Sequence, residues 1–258
     1  MSATPSVAVR LDPRPQGGVA FVTIENAAKL NTLGSALMIE FVEKVEGLAA
    51  VEDLRAVVLT GAGPKAFIGG ANILEMAALT AENCEGFITL VHRCCAALRD
   101  LPVPVIARVN GYTLGAGLEV AAACDLRVAS SNAVFGMPEV KVGIPSVVEA
   151  ALLPGLIGWG RTRELLLFGE NIDAATALRW GLVEQVVAPG ELDAAIAARL
   201  AALLANGPQA VRLQKQLIRR WEDLTLSQAV NAGIESFTKS FATDEPARMM
   251  ATFAQRKR

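Results

Sequence analysis

Histidine, tyrosine and charge are scarce in this sequence. Its 258 residues include one His (His92), one Tyr (Tyr112), 5% aromatic residues and 19% charged residues. A mechanism built on two histidines or on several tyrosines is therefore excluded. The charged fraction is below the ~25% usual for globular chains, while 52% of residues are hydrophobic. That balance excludes a disordered chain or a coiled coil as a description of the whole. The formal net charge is −2, so a nucleic-acid partner is not expected. The four cysteines (Cys84, Cys94, Cys95, Cys124) contain no CxxC pair, so paired-cysteine zinc ligation is not available. They are expected as buried, reduced thiols, and neither a metal nor a cofactor is expected. No uncharged apolar run approaches the ~18 residues of a membrane span, because Glu119 and Glu149 interrupt the best candidates. The first 18 residues carry Pro5, Pro13 and Pro15 and lack the apolar core of a secretory signal. A cytoplasmic protein without membrane attachment is the expectation.

What is present is periodic. Val19–Ile24, Arg55–Thr60, Pro104–Asn110, Leu126–Ala129 and Ala133–Phe135 read as short, β-branched strands. Between them, Ser35–Leu48, Glu82–Arg99 and Leu118–Ala123 read as helices. After about Val147 helical patterns dominate: Val147–Ile157, Arg161–Phe168, Asp173–Trp180, Glu191–Leu204, Pro208–Trp221, Ser227–Phe241 and Glu245–Phe253. One strand, Val183–Val187, interrupts them. Strand–helix units followed by a helical tail predict an α/β fold with a helical C-terminal region.

Several motifs invite a chemical reading. Gly61-Ala62-Gly63-Pro64-Lys65-Ala66 fits the dinucleotide-binding spacing GxGxxA after a strand, but Pro64 and Gly69-Gly70 oppose the helix that a pyrophosphate site needs. A plain turn is the expectation there. His92 lies in a helical pattern with no GxSxG elbow in the chain, so a satisfied or surface histidine fits better than a nucleophilic triad.

Two other segments, Lys65–Ile73 and Asn110–Glu119, place small residues where a ligand can approach the main chain. The second runs from a strand into a helix start, whose first N–H groups are free and positively polarised. One N–H from each segment would make an oxyanion hole. Glu119, in the first helical turn, and Glu139, after Pro138, would then form an acid/base pair. Spacing alone also allows each to be an ordinary surface carboxylate.

At these residues the chain resembles the enoyl-CoA hydratase/isomerase (crotonase) family. The resemblance covers nearly the whole chain: VAFVTIENAAKLNTL (Val19–Leu33), LRAVVLTGAGPKAFIGGANILEM (Leu54–Met76), VNGYTLGAGLEVAAACDLRVAS (Val109–Ser130), FGMPEVKVGIP (Phe135–Pro145) and FTKSFATDEPARMMATFAQRKR (Phe237–Arg258). It implies a crotonase-like spiral of ββα units with the acyl-CoA site over residues 1–190, and a helical trimerisation region over 191–258. It implies an acyl-CoA substrate, with coenzyme A as part of that substrate and no separate cofactor, and a homotrimer or homohexamer.

By resemblance the oxyanion donors fall on Ala71 and Ala116. The two hydratase glutamates fall on Glu119, which would orient or deprotonate water, and Glu139, which would exchange a proton with C2. Ala28, Lys29, Asn72, Ile73 and Arg256 fall at substrate- or CoA-contacting positions. The chain departs from the family pattern at Asn72, where an aspartate is usual, and at Asn26–Lys29, where a proline is usual. It departs most at Ser146–Ala150, which replaces a glycine-rich segment and brings a third carboxylate, Glu149. Retention of both glutamates favours 2-enoyl-CoA hydration. A double-bond isomerase, another acyl-CoA-converting reaction, or a non-catalytic binding protein remain alternatives.

Overall fold

The computed structural model describes residues 4–256. The strand expected at Val19–Ile24 is the centre of β2 (Gly18–Glu25), which pairs antiparallel with a strand absent from the sequence reading, β1 (Ser6–Asp12). Helix α1 (Ser35–Gly47) buries Leu37, Met38, Phe41, Val42 and Val45, a single apolar stripe at helical spacing. Then come β3 (Leu54–Gly61), β4 (Ala66–Ile68), the one-turn α2 (Ile73–Met76) and α3 (Cys84–Asp100). The chain continues through β5 (Val105–Val109), β6 (Tyr112–Leu114), α4 (Ala116–Ala123), β7 (Leu126–Ser130) and β8 (Val134–Gly136). After a loop it forms α5 (Leu153–Phe168, broken at Gly158, φ +76°), β9 (Ile172–Asp173), α6 (Ala174–Trp180), β10 (Gln185–Val187) and α7 (Leu192–Leu204). Helices α8 (Pro208–Trp221), α9 (Leu226–Ser240) and α10 (Glu245–Arg256) complete it.

Two sheets result, one ordered β1-β2-β3-β5-β7-β10 and the other β4-β6-β8-β9. Each winding of the chain lays one long strand in the first sheet, one short strand in the second, and then a helix: β3–β4–α3, β5–β6–α4, β7–β8–α5. From β2 onward, neighbours in the first sheet are parallel, so these strands must be apolar on both faces. Val57 and Leu59 accordingly join the core shared with α1, α3 and α4. Ala56 and Val58 face the other way, onto Leu192, Ile196 and Leu200 of α7.

Besides the missed β1, the sequence reading needs three corrections. Strands β4, β6 and β9, of three, three and two residues, are too short to show any periodicity. Val147–Ile157 is not one helix: Val148–Leu152 forms a 3-10 turn before α5, and Val148 has φ +37°, a conformation that β-branched residues rarely adopt. Cys94, Cys95 and Cys124 are buried, but Cys84 is exposed, because it opens α3 at the surface. No described helix is long and apolar enough to cross a membrane.

Lys215 fastens α8 to the spiral. It is 8% exposed, and its Nζ donates to Leu98 O (3.2 Å), Val103 O (2.9 Å) and Asp125 Oδ2 (2.8 Å). Without it the carbonyls of Leu98 and Val103 lose a buried donor, while Asp125, its side chain 34% exposed, still reaches solvent. Lys215→Met is therefore expected to destabilise the protein by about 2 kcal/mol, read as a lower urea midpoint. An unchanged midpoint would show that the contact contributes nothing.

Candidate active site

The site starts where β4 ends. Two asparagines hold the chain around it. Buried Asn31 (φ +57°) donates from Nδ2 to Ala62 O (3.0 Å) and Ala66 O (2.8 Å), and its Oδ1 accepts from Asn26 N–H (3.0 Å). Asn110 donates from Nδ2 to Gly61 O (3.0 Å), Gly63 O (2.6 Å) and Ala66 O (3.1 Å). The Gly61–Ala66 run is thereby clamped as a turn into β4. No helix opens there, in keeping with the plain-turn reading.

Beyond β4, Ala71 bridges Leu33 in parallel register through Leu33 N–H to Gly70 O (2.9 Å) and Asn72 N–H to Leu33 O (2.8 Å). In that pattern the N–H of Ala71 itself points away from its neighbour. Ala116 is the first residue of α4, two residues earlier than the sequence pattern predicts, so its N–H is one of the free donors of a helix start. Among the described residues neither N–H has an acceptor within the chain.

Glycines let the two segments meet. A Cβ on Gly117 would lie 2.0 Å from Ile68 O, and one on Gly70 would lie 3.2 Å from Leu114 O. The first turn of α4 thus packs directly on the end of β4, and only a residue without a side chain fits at 117. Gly115 has φ +50°, and its N–H donates to Gly136 O (2.9 Å). This ties the start of α4 to β8, the strand that leads to Glu139.

The two glutamates meet at the same place. Glu119 is 4% exposed, and its Oε1 accepts the Ala150 N–H (3.1 Å). Burial pushes its carboxyl up to about 8, opposed by the Ala150 hydrogen bond and reinforced by the charges of Glu139 and Glu149. Glu139 stands in the 3-10 turn Pro138–Val142 after β8. Its Oε2 accepts from Ser146 Oγ (2.8 Å), and its Oε1 lies so close to Gly115 that a Cβ there would approach it to 2.5 Å. A shielded carboxyl, a second carboxylate and free main-chain donors therefore share one region. Such a set can polarise a carbonyl and move protons beside it.

The other expected residues form its rim. Ala28 and Lys29 are exposed in the 3-10 turn Ala27–Lys29, held beside the site by Gly69 N–H donating to Leu30 O (2.8 Å). Asn72 accepts from Leu74 N–H (3.1 Å) and so caps α2, while Ile73 is exposed. The side chain of Arg256 lies outside the described residues. The sequence reading missed Ser146 as a partner of Glu139 and Gly115 as the residue under its carboxylate. No local pattern announces either, since each contact joins separate turns of the spiral. His92 is not a bare surface histidine: its Nδ1 lies 2.7 Å from Glu149 Oε1.

Known proteins share this architecture. A family model described as enoyl-CoA hydratase/isomerase matches residues 14–258. A short-chain-enoyl-CoA hydratase from Clostridium acetobutylicum is 38% identical over 244 residues, covering 94% of both chains. A crotonyl-CoA hydratase from Syntrophomonas wolfei is 33% identical over 241 residues, covering 93% of each. The crystal structure of an enoyl-CoA hydratase from Bacillus anthracis superposes with a TM-score of 0.90 at 30% identity, covering 96% of each chain.

Proposed function

Because this chain belongs to the enoyl-CoA hydratase/isomerase family, we propose that it hydrates a 2-enoyl-CoA thioester across its 2,3 double bond. The observation that carries this reading is the pairing of buried Glu119 with Glu139 beside the free N–H donors of Ala71 and Ala116. The thioester oxygen accepts both N–H bonds, which stabilise the negative charge that develops as water attacks C3. Burial keeps a proton on Glu119 near neutral pH. One member gives a proton to C2 while the other takes one from the attacking water. The proton given and the proton taken balance, so the pair holds as many protons after the addition as before it.

Exposed Ala28, Lys29 and Ile73, with half-buried Asn72, support a CoA contact, with Lys29 as a cation for phosphate. Arg256 is a second such cation. The test is loss of the enoyl-thioester absorbance of crotonyl-CoA with formation of the 3-hydroxy product. Conversion of a 3-enoyl-CoA to its 2-enoyl isomer without a hydroxylated product would replace hydration by isomerisation.

Self-association as a homotrimer or a homohexamer is part of the same reading. Leu226, Val230, Ile234, Phe237 and Phe241 recur at helical spacing along and just past α9, each more than half exposed. A continuous apolar stripe of that kind marks an interface. Val230→Glu combined with Phe237→Glu is expected to yield monomers in sedimentation velocity. An unchanged sedimentation coefficient would place the interface elsewhere.

A further inference from the structure

The wall that partners both carboxyls of the site has one polar tie to the helix behind it. The segment 146–150 places Ser146 Oγ on Glu139 (2.8 Å) and Ala150 N–H on Glu119 (3.1 Å), and that N–H is shared with Val147 O (2.9 Å). Beyond those contacts, one side-chain hydrogen bond among the described residues joins the segment to another element. It runs between Glu149 Oε1 and Nδ1 of His92 on α3, over 2.7 Å. Helix α3 is a firm anchor, with Phe87, Val91, Cys94, Cys95 and Leu98 buried in the core. Glu149 is 8% exposed, whereas the His92 side chain is 54% exposed. Pairs at so open an edge contribute little to stability, so the contact has more to offer as a fixed point.

Inside this wall stands Val148 at φ +37°, a strained conformation that persists only where surrounding contacts enforce it. Ser146 is pinned on one side of it, and Glu149 and Ala150 on the other. Once Glu149 is released from α3, water at the open edge can satisfy Oε1 but cannot fix its position. The turn then has room to relax at Val148, which rotates the Ala150 N–H away from Glu119. Burial raises Glu119, and the Ala150 hydrogen bond opposes that rise, so its loss leaves the proton harder to remove. A displacement of about 1 Å in a catalytic group costs up to ~10²-fold in rate. The titratable groups facing Glu119 are Glu139 and Glu149 from the turns and Cys95 from α3, with His92 behind Glu149. Among the described residues no Lys or Arg forms an ion pair with Glu119 or Glu149, so no fixed cation masks a change in that hydrogen bond.

We propose that His92 is a positioning residue: through Glu149 it holds the turn 146–150 so that Ala150 N–H stays on Glu119 and Ser146 Oγ on Glu139. The contact needs one proton between imidazole and carboxyl, and it forms whether or not the imidazole is charged. This rests on the hydration reading of the site and adds to it a residue of α3 that acts only through Glu149.

The test is steady-state hydration of crotonyl-CoA against pH by wild type, His92→Ala and His92→Asn, whose amide reaches as far as Nδ1. His92→Ala is expected to fold and to lose roughly tenfold in kcat, with KM within about twofold. The alkaline limb of its kcat/KM profile moves up by about half a unit, the effect of one lost hydrogen bond on a carboxyl. His92→Asn, neutral but able to hydrogen-bond, restores most of the rate and returns the limb. Wild-type kcat and limb in His92→Ala would overturn the proposal. So would an unfolded His92→Ala, which assigns the contact to stability, or a limb that His92→Asn fails to return, which assigns the effect to the imidazole charge. Absence of hydration by wild type would instead overturn the hydration reading. The positioning is then read from the Glu119 carboxyl itself, by NMR of isotope-labelled protein, with the resonance identified by its loss in Glu119→Gln. Its titration moves up in His92→Ala where the turn is released, and an identical titration in both proteins overturns the proposal.

Discussion

Glu119→Gln is expected to lower kcat for crotonyl-CoA hydration by a factor on the order of 10³, within the range of general acid–base catalysis. Glu139→Gln is expected to do the same, and the double variant to lose little more, because the two carboxyls exchange protons with one water and one substrate as a unit. A single variant that keeps full activity would remove its residue from the mechanism. The pH dependence follows from the elevated carboxyl of Glu119. Its proton is lost as pH rises through about 8, so kcat/KM should fall above that value. Stability carries the same sign. The native state binds this proton more tightly than the unfolded chain, whose reference value is 4.5. The contribution is fully present below that reference and is lost as pH rises through the folded value. Glu119→Gln has no such charge to bury. Its Tm should exceed that of wild type by more at pH 9 than at pH 5, a stability gain at the expense of catalysis.

Ala116→Pro is expected to cost on the order of 10²–10³ in kcat, as for loss of one oxyanion donor. The substitution is selective because Ala116 is the first residue of α4, where proline fits the helix and removes only a donor that lacks an intrahelical partner. Gly115, at φ +50° and ψ −123°, tolerates a following proline as a residue with a side chain would not. Circular dichroism should therefore remain near wild type while turnover collapses. A folded Ala116→Pro protein with wild-type kcat would exclude this N–H from charge stabilisation. Gly115→Ala is a separate probe of the same corner, since its Cβ would press within 2.5 Å of Glu139 Oε1.

Where the sequence reading worked, the structure-forming signal was local. Helix α1 displays its stripe of Leu37, Phe41 and Val45 within one segment, and helix α8 was read to its residue, Pro208–Trp221. Where it failed, the signal was not local. Strands β4 and β6 are three residues each, and they are strands only because parallel neighbours accept their hydrogen bonds. Val147–Ile157 has helical composition, yet residues 148–152 tighten into a 3-10 turn, which brings Ala150 N–H to Glu119 and Glu149 to His92. The pairing of those last two residues, 57 apart in sequence, could not be seen in a one-dimensional pattern.

The sequence alone determined the class of fold, the exclusion of a two-histidine mechanism and the small-residue segments that suit main-chain donors. These follow from composition, from local periodicity and from the steric freedom of glycine. Only the tertiary structure decided that Gly117 packs on Ile68 O, that Glu139 rests against Gly115, and that burial raises Glu119 but leaves Oε2 of Glu149 without a donor. The reason is physical. Desolvation and hydrogen-bond satisfaction depend on which turns of the spiral become neighbours, and no residue carries that information by itself.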